Sequence, residues 1–368
     1  MNKFDLDTPC IVLDLEILEE NLGRMQAGAT AAGKNLRPHA KSHKCSTLAR
    51  KQLEQGAIGI CAAKVSEAEV LVNDGVQGVL VTGPVASEKK AARLIKLLAE
   101  SPSLMTVVDH AESIELLNRL LANADLAMDV LVDIDVGHQR TGVPPAGVLE
   151  LAGQILAAKH LQLKGIQAYA GQVQHIHGYN ERKKASLECM SQAADVFREL
   201  QAKEPSCTIF SGAGTGTCEI DLEIGELTEL QVGSYALMDA EYMAIESARH
   251  EELTEIFPAA LTLLTTVVSA SQDTHVTVDA GLKSLYRDGG HPQVVTAKYR
   301  SLRYDWFGDE YGRLSAQGNT AALPRLGQVV ELVVSHCDPT VNQFDCYFVT
   351  RGNKVVDQWP IDMRGRSQ

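Results

Sequence analysis

The sequence predicts an α/β protein: a barrel of the (β/α)8 type followed by a β-rich domain. From about residue 8 to 245, short apolar runs alternate with longer amphipathic stretches, which is typical of parallel strands joined by helices. Eight such strands follow the first long helix, and that number fits a closed barrel. After residue 246 the apolar runs become rich in Val, Thr and aromatic residues, which favours strands without intervening helices. An open doubly wound sheet is the alternative, but no GxGxxG motif follows the first strand.

The individual elements follow from periodicity and from turn residues. A first strand is predicted at residues 9–15, and a helix at 16–33 has helical apolar spacing and ends in glycine. The barrel strands are predicted at residues 35–41, 58–63, 78–82, 104–109, 129–137, 163–171, 207–214 and 229–235. Further helices are predicted at 66–75, 87–100, 110–124, 148–160 and 181–203, and the later strands at 260–271, 275–282, 329–335 and 344–359.

Three other segments complete the predicted organisation. The first strand lies outside the barrel count and is a candidate to pair with the β-rich domain. Residues 308–312 (GDEYG) and 351–354 (RGNK) have the composition of turns. The stretch from Lys283 to about Pro324 is loop-rich and is left unassigned.

Composition narrows the classes of partner and compartment. The chain has 368 residues, of which 45% are hydrophobic, enough for a large core and more than one domain. A formal net charge of -13 argues against nucleic acid as the main partner. No run approaches the roughly 18 apolar residues that a membrane span needs, and the N-terminus lacks the apolar core of a secretory signal. Eight cysteines without CxxC pairs indicate reduced thiols, so we expect a cytoplasmic protein.

The segment RPHAKSHKC, residues 37–45, is the first candidate for chemistry. It places Lys41 and two histidines, His39 and His43, at the end of the first barrel strand, where the catalytic groups of such barrels lie. A lysine there can form a Schiff base if its amine is desolvated or close to other cations. A solvated basic loop is the alternative interpretation.

A glycine-rich turn, SGAGTGT at residues 211–217, follows the seventh barrel strand. Glycines let backbone amides approach an anion, and the loops after strands seven and eight are the usual phosphate site of these barrels. The eighth strand ends in Gly233-Ser234-Tyr235, which could add donors. A tight turn without a ligand is the alternative.

The segment HCDP, residues 336–339, follows an apolar run and is predicted to continue a strand. Positions i and i+2 of a strand share a face, so His336 and Asp338 would converge and Cys337 would point away. An imidazole and a carboxylate suit a divalent ion such as Mn, Mg or Zn. An Asp-Pro turn beside a buried histidine is the alternative.

Further candidate residues follow the fifth and sixth barrel strands. Arg140 can pair with a phenolate, a phosphate or a carboxylate, and His175 can act as a base near neutral pH. Tyr169 lies on the same segment as His175, and His177 could equally be the reactive histidine. Each residue taken alone is as consistent with a structural role as with a functional one.

Taken in order, the chain's motifs resemble those of one enzyme family. They are DTP, RPHAKSHKC, KVSEAE, GIQAYAGQVQH, GAGTG, ELQVGSYALMDAEY, VDAGLKS and HCDPTVN. The chain resembles, nearly end to end, the D-threonine aldolases and 3-hydroxy-D-aspartate aldolases, which are pyridoxal 5'-phosphate (PLP) enzymes of the alanine-racemase-like class. The resemblance implies a PLP-binding barrel at 15–245 and a β-rich domain at 1–14 and 246–368 that carries the metal site. It also implies a homodimer with both chains near each site.

The resemblance also assigns residues. Lys41 would be the Schiff-base lysine, His175 the base near the substrate hydroxyl, and His336 and Asp338 the ligands of the divalent metal. Arg140 would lie near the phenolic oxygen of PLP, while GAGTG and Gly233-Ser234 would hold its phosphate. The residues expected at the cofactor are His39, Lys41, Arg140, Tyr169, Gly214, Thr215, Gly216, Gly233, Ser234 and Tyr235.

The predicted reaction is cleavage of a β-hydroxy-D-amino acid to glycine and an aldehyde. A dehydratase of D-serine or 3-hydroxy-D-aspartate on the same fold is the nearest alternative, but such relatives tend to carry HxC instead of HxD. A racemase would not explain a metal pair, a PLP-homeostasis protein would resemble the barrel alone, and a metal-dependent hydrolase would leave RPHAK unexplained. Ala63 and Tyr311 depart from the family pattern, which often has glutamine and histidine there, so the substrate side chain stays open.

Overall fold

The structure is a computed structural model that describes residues 1–316 and 322–368. The chain divides into two compact units. The barrel unit comprises Arg24–Lys41, Leu48–Gly233 and Gly365–Gln368, and the β-rich unit comprises Met1–Gly23, Ser42–Thr47 and Ser234–Arg364. Strands and helices are numbered along the whole chain.

The boundary between the units follows Gly233, twelve residues before the expected end of the barrel domain at 245. Backbone hydrogen bonds explain this position. The carbonyl of Leu237 accepts from the amides of Ala260 (2.9 Å) and Leu261 (3.1 Å), and the amide of Ala240 donates to Val334 (3.0 Å). The segment after Gly233 is therefore bonded within the β-rich unit.

The barrel unit is built on eight parallel strands. Their order is β2-β9-β8-β7-β6-β5-β4-β3, and a parallel bridge between His39 and Cys61 joins the two ends, with the Cys61 amide donating to Pro38 (2.8 Å). This confirms the predicted barrel. The strands are β2 Asn35–Leu36, β3 Cys61–Ala62, β4 Leu80–Val81, β5 Met105–Val108, β6 Met128–Ile134, β7 Leu161–Ala168, β8 Ile209–Gly212 and β9 Glu229–Leu230.

Helices follow most of these strands and bury one apolar face each. In α4 the buried side chains fall at helical spacing, and Ser87 caps its N-terminus by accepting from the Lys90 amide. The predicted helices are confirmed, and the structure adds α2, whose apolar pattern is sparse. The helices are α1 Leu15–Ala31, α2 Ser46–Glu54, α3 Val65–Asn73, α4 Glu88–Glu100, α5 Ala111–Ala124, α6 Val148–Ala157, α7 Tyr179–Lys203, α8 Cys218–Asp221, α9 Ala240–Met243 and α10 Cys337–Val341.

The β-rich unit contains, within the described residues, a nine-stranded sheet of order β11-β14-β13-β12-β15-β10-β1-β16-β17. An additional pairing between β10 and β11 closes six of these strands into a ring. The first strand pairs antiparallel with β10 and parallel with β16, which confirms its expected place. The strands are β1 Cys10–Asp14, β10 Leu261–Ser269, β11 His275–Val278, β12 Gln293–Val294, β13 Leu302–Trp306, β14 Gly312–Ala316, β15 Val329–Val333, β16 Cys346–Arg351 and β17 Lys354–Pro360.

The stretch left unassigned from 283 to about 324 contains three strands, β12 to β14, apart from 317–321, which lie outside the described residues. The predicted turn 308–312 joins β13 to β14, with Gly308 at φ +119°. The predicted turn 351–354 joins β16 to β17, with Gly352 at φ +54°. Both turns are confirmed.

Two observations bear on membrane and redox chemistry. Within the part of the chain that the structure describes, no helix has the length and apolar character needed to cross a membrane. All eight cysteines are free thiols, and only Cys189 and Cys346 are partly exposed.

Candidate active site

The carboxyl ends of parallel barrel strands share one edge, and the predicted residues of the barrel unit follow neighbouring strands at that edge. In spatial order, the strands that carry them are β2, β9, β8, β7 and β6. Each predicted residue lies shortly after its strand: Lys41 after β2, Gly233 after β9, Gly214 to Gly216 after β8, Tyr169 and His175 after β7, and Arg140 after β6. The fold therefore brings residues from distant parts of the sequence to one end of one barrel.

Lys41 lies in a short helical turn, Ala40–Ser42, directly after the first barrel strand. Its side chain is half-buried, and its backbone amide donates to Nδ1 of His39 at 3.3 Å. Nε2 of His39 lies 3.1 Å from Oγ1 of Thr82, which follows β4. His39 thus connects the backbone of Lys41 to the segment that follows β4.

The glycine turn, residues 214–217, is buried and tightly folded. Ala213, which precedes it, has φ +67°, a conformation that non-glycine residues seldom adopt. The Gly216 amide donates to Oε1 of Gln174 (3.1 Å), and the Gly214 amide to Oγ1 of Thr217 (3.4 Å). These two amides therefore have acceptors within the protein, and the bonds fix the shape of the turn.

A buried carboxyl supports the glycine turn. Oδ2 of Asp221 accepts from the Thr217 hydroxyl (2.5 Å), and Oδ1 accepts from the Ser186 hydroxyl (2.6 Å). Burial raises the pKa of Asp221 from its ordinary value of 3.8 to about 6. The turn is therefore connected to α7 and α8 through Asp221, a residue that no motif in the sequence singles out.

Arg140 and Tyr169 lie together at the barrel edge. The guanidinium carbon of the exposed Arg140 lies 5.9 Å from the ring centroid of Tyr169, and the His138 ring meets that ring edge-on at 6.2 Å. The structure thus brings together two of the residues expected at the cofactor, and it adds His138 to them.

A polar network inside the barrel is the main feature that the sequence interpretation missed. Asp133 on β6 accepts from Nε2 of Gln167 (2.8 Å) and from the hydroxyl of Thr141 (2.8 Å), which is next to Arg140. Oε1 of Gln167 accepts in turn from Nε2 of Gln231 (3.0 Å). Burial, with a smaller effect of the Asp109 charge, raises the pKa of Asp133 to about 6. The sequence signal for this network is Asp133 itself, an acidic residue in the middle of an apolar run that forms a strand.

The two candidate histidines occupy the loop between β7 and α7. His175 and His177 are both exposed in this chain, whereas Gln174 beside them is buried. The geometry places both at the barrel edge and does not select between them.

In the β-rich unit, the prediction that His336 and Asp338 lie on a strand is wrong. Strand β15 ends at Val333, and His336 is the N-cap of the short helix α10. The helix forms because the buried carboxylate of Asp239 accepts from the Cys337 amide (2.9 Å) and because Pro339 is tolerated in a first turn. Oδ1 of Asp338 nevertheless lies 4.0 Å from Nε2 of His336.

A second carboxylate approaches the other side of His336. Oδ2 of Asp288 lies 3.2 Å from Nδ1 of His336, so that Nε2 is the nitrogen turned toward Asp338. Among the described residues, no group of three or more His, Cys, Asp or Glu side chains is arranged to hold a metal ion. Ser234 and Tyr235 also belong to this unit, where both are buried.

Comparison with known proteins decides the family. Residues 13–241 match the family described as alanine racemase, N-terminal domain, and residues 260–350 match the putative serine dehydratase domain. A D-threonine aldolase from an Arthrobacter species is 39% identical over 99% of this chain and 94% of its own length. The chain belongs to the D-threonine aldolase family.

Other members of the family agree. A 3-hydroxy-D-aspartate aldolase from Paracoccus denitrificans is 34% identical over 100% of this chain and 94% of its own length. The crystal structure of D-threonine aldolase from Filomicrobium marinum has 36% identity and a TM-score of 0.92, covering 99% of this chain and 97% of that chain. A D-threo-3-hydroxyaspartate dehydratase from a Delftia species matches at a lower identity, 26% over 96% of this chain. These homologues are lyases.

The family and the alanine racemase fold imply PLP, and the residues present fit it. An amine (Lys41) and a glycine turn (Gly214 to Gly216) end strands β2 and β8, which are separated only by β9. That arrangement suits a small molecule with an aldehyde at one end and a phosphate at the other. His336 and Asp338, the residues expected to bind a metal, place an imidazole nitrogen and a carboxylate oxygen 4.0 Å apart, and these donor types suit a divalent ion.

One departure from the family pattern falls in each unit. Ala63 follows β3 at the barrel edge, where its amide donates to Oε2 of Glu67 at 2.8 Å. Tyr311 is 49% exposed in the turn between β13 and β14. Both positions stay candidates for setting the preference for the substrate side chain.

Proposed function

We propose that the protein is a PLP- and divalent-metal-dependent aldolase that cleaves β-hydroxy-D-amino acids, of the D-threonine or 3-hydroxy-D-aspartate type, to glycine and an aldehyde. The observation that carries the proposal is the placement of Lys41, the glycine turn, Tyr169 and Arg140 at the ends of neighbouring barrel strands. Similarity to aldolases over the full chain supports the same reaction class.

The cofactor residues would act as follows. Nζ of Lys41 would hold PLP covalently, and the turn Gly214 to Gly216, with Gly233 and Ser234, would bind its phosphate. Arg140, whose guanidinium lies over Tyr169, would face the phenolic oxygen. When bound, PLP supplies an electron-withdrawing ring that weakens the bonds at the substrate Cα.

The substrate hydroxyl needs a group that takes its proton. An imidazole nitrogen of His175 would accept the proton from the β-hydroxyl oxygen, because neutral imidazole is a competent base near pH 7. His336 and Asp338 would hold a divalent ion, with the Nδ1 side of His336 turned to Asp288 and Nε2 left for the metal. A bound divalent ion supplies Lewis acidity toward oxygen.

Product analysis tests the proposed reaction. The purified protein, loaded with PLP and Mn²⁺, is incubated separately with D-threonine, D-threo-3-hydroxyaspartate, D-erythro-3-hydroxyaspartate and D-serine. Glycine together with an aldehyde is the expected result. A keto acid with ammonia would show a dehydratase, an L-amino acid a racemase, and PLP binding without turnover of any substrate a cofactor-binding protein.

Dehydration is the second candidate, because residues 260–350 match the putative serine dehydratase domain. The pair His336 and Asp338 argues for the aldolase, since the dehydratases on this fold tend to have a softer cysteine ligand at the second position. The product analysis separates the two directly.

Quaternary structure and location complete the proposal. We propose a homodimer in the cytoplasm, in line with the family resemblance and with eight free thiols. Light scattering after size-exclusion chromatography should give twice the chain mass of 39.8 kDa; a monomer that retains full activity would contradict the dimer.

A further inference from the structure

Arg182, in the first turn of α7, is a buried cation that donates hydrogen bonds to backbone carbonyls. Its side chain is 1% exposed. Nε donates to the Gly216 carbonyl at 2.7 Å, and one terminal nitrogen donates to the carbonyls of Ile176 and His177 (3.0 Å for the latter). A guanidinium keeps its charge and its planar fork of donors even when buried, so it can hold several carbonyls in a fixed geometry.

These carbonyls belong to two different loops of the candidate site. Gly216 is in the glycine turn after β8, whereas Ile176 and His177 directly follow His175 in the loop after β7. Arg182 therefore ties the turn assigned to the phosphate to the backbone that carries the proposed base.

The residue before His175 is tied to the same turn. Nε2 of Gln174 donates to Oγ1 of Thr217 (3.0 Å), and its Oε1 accepts from the Gly216 amide (3.1 Å). His175 is thus flanked on both sides by residues bonded, directly or through Arg182, to the glycine turn. Because the His175 side chain is exposed, its position depends on the backbone that carries it.

We propose that Arg182 is a positioning residue that sets the place of His175 relative to the glycine turn. The inference rests on the proposed function, in which His175 is the base. Removing the guanidinium leaves the buried carbonyl of Gly216 and the partly buried carbonyls of Ile176 and His177 without that donor. A buried carbonyl without a donor is costly. The loop after β7 then opens toward water and His175 leaves its place, and a displacement of about 1 Å costs on the order of 100-fold in rate.

A double-mutant cycle tests this at saturating PLP. Arg182→Gln should lower kcat by about 10- to 100-fold, and Arg182→Lys, which keeps the charge without the fork, should lower it less. Arg198→Gln is the matched control, because Arg198 lies on the same helix but is 56% exposed, in surface ion pairs with Asp195 and Glu226. It should leave kcat unchanged.

The decisive arm repeats the substitution in a His175→Ala background. If Arg182 acts through His175, Arg182→Gln should add less than about 3-fold there, because coupled residues are not additive. An equal cost in both backgrounds would overturn the inference while leaving His175 as the base. A wild-type kcat in His175→Ala alone would instead refute the proposed base, and with it this inference.

Amide exchange gives a readout without cofactor or turnover. In the PLP-free protein, Arg182→Gln should speed hydrogen–deuterium exchange in residues 172–178, and Arg198→Gln should not. Unchanged exchange in that segment would also overturn the inference. If Arg182→Gln does not fold, Arg182→Lys serves in every arm, with smaller expected effects in the same direction.

Discussion

A single methyl group added at Gly216 should disable the glycine turn. A Cβ built on this residue lies 2.0 Å from the carbonyl oxygen of Gln174 and 2.9 Å from its carbonyl carbon, where ordinary contacts begin at 3.4 Å. The turn or the Gln174 backbone must therefore move by about 1.4 Å to remove the overlap. Since the obstructing atoms are backbone, no side-chain rotation relieves the contact.

The cost can be estimated from the behaviour of overpacked sites. Overpacking costs about 1–3 kcal/mol, which corresponds to about a 5- to 150-fold rise in the Kd for PLP if the strain falls on the phosphate site. Displacement of the neighbouring His175 by about 1 Å should lower kcat/KM on the order of 100-fold. Gly216→Ala should show both effects.

The assay is a PLP titration of the cofactor-free protein followed by absorbance, with kcat/KM and Tm measured on the same samples. Gly225→Ala is the matched control, because a Cβ at Gly225 meets nothing within 4 Å. The control should bind PLP as the wild type does. A wild-type Kd and kcat/KM in Gly216→Ala would refute the assignment of this turn to the cofactor.

Three more predictions follow from other residues. Lys41→Ala should abolish the visible absorption of lysine-bound PLP, and a band that borohydride still traps on another lysine would disprove the assignment. His336→Ala should keep that absorption but lose metal-dependent turnover and Mn²⁺ affinity by calorimetry, whereas an active wild type that is indifferent to chelators would exclude the metal role. Asp221 has a folded-state pKa of about 6 against an ordinary 3.8, so its contribution to stability is fully present at low pH and is lost as pH rises through 6. The free energy of unfolding of wild type minus that of Asp221→Asn should therefore fall by about 1.4 kcal/mol from pH 5 to pH 8; a constant difference in chemical denaturation would contradict the pKa shift.

The fold could be predicted from the sequence where periodicity is strong. The eight barrel strands and the long helices follow local alternation of apolar and polar residues, so they were found without the structure. The pairing of β1 with β10 and β16 was only a candidate, because strand partners 248 or more residues apart leave no local pattern. The segment with β12 to β14 was missed since these strands are short or rich in charged residues.

The residues of the candidate site also differ in whether a local sequence pattern reveals them. Lys41, the glycine turn and Arg140 stand out in the sequence because each follows an apolar run that reads as a strand. The strand pattern predicts the approach of His336 and Asp338 for the wrong reason, since both lie at a helix start that depends on the distant carboxylate of Asp239. The two side chains still approach each other, because residues two positions apart at a helix start can also lie close together.

The sequence by itself determined the barrel, the identity of the family and the lysine at the end of the first barrel strand, because strand ends and motifs are local features. Only the tertiary structure showed that Asp288 faces His336, that Asp133 is buried beside Gln167, and that Arg182 joins two loops of the site. Those contacts link residues 34 to 48 positions apart. They depend on which strands and loops each folded unit places side by side, and the local pattern of either segment alone does not contain that information.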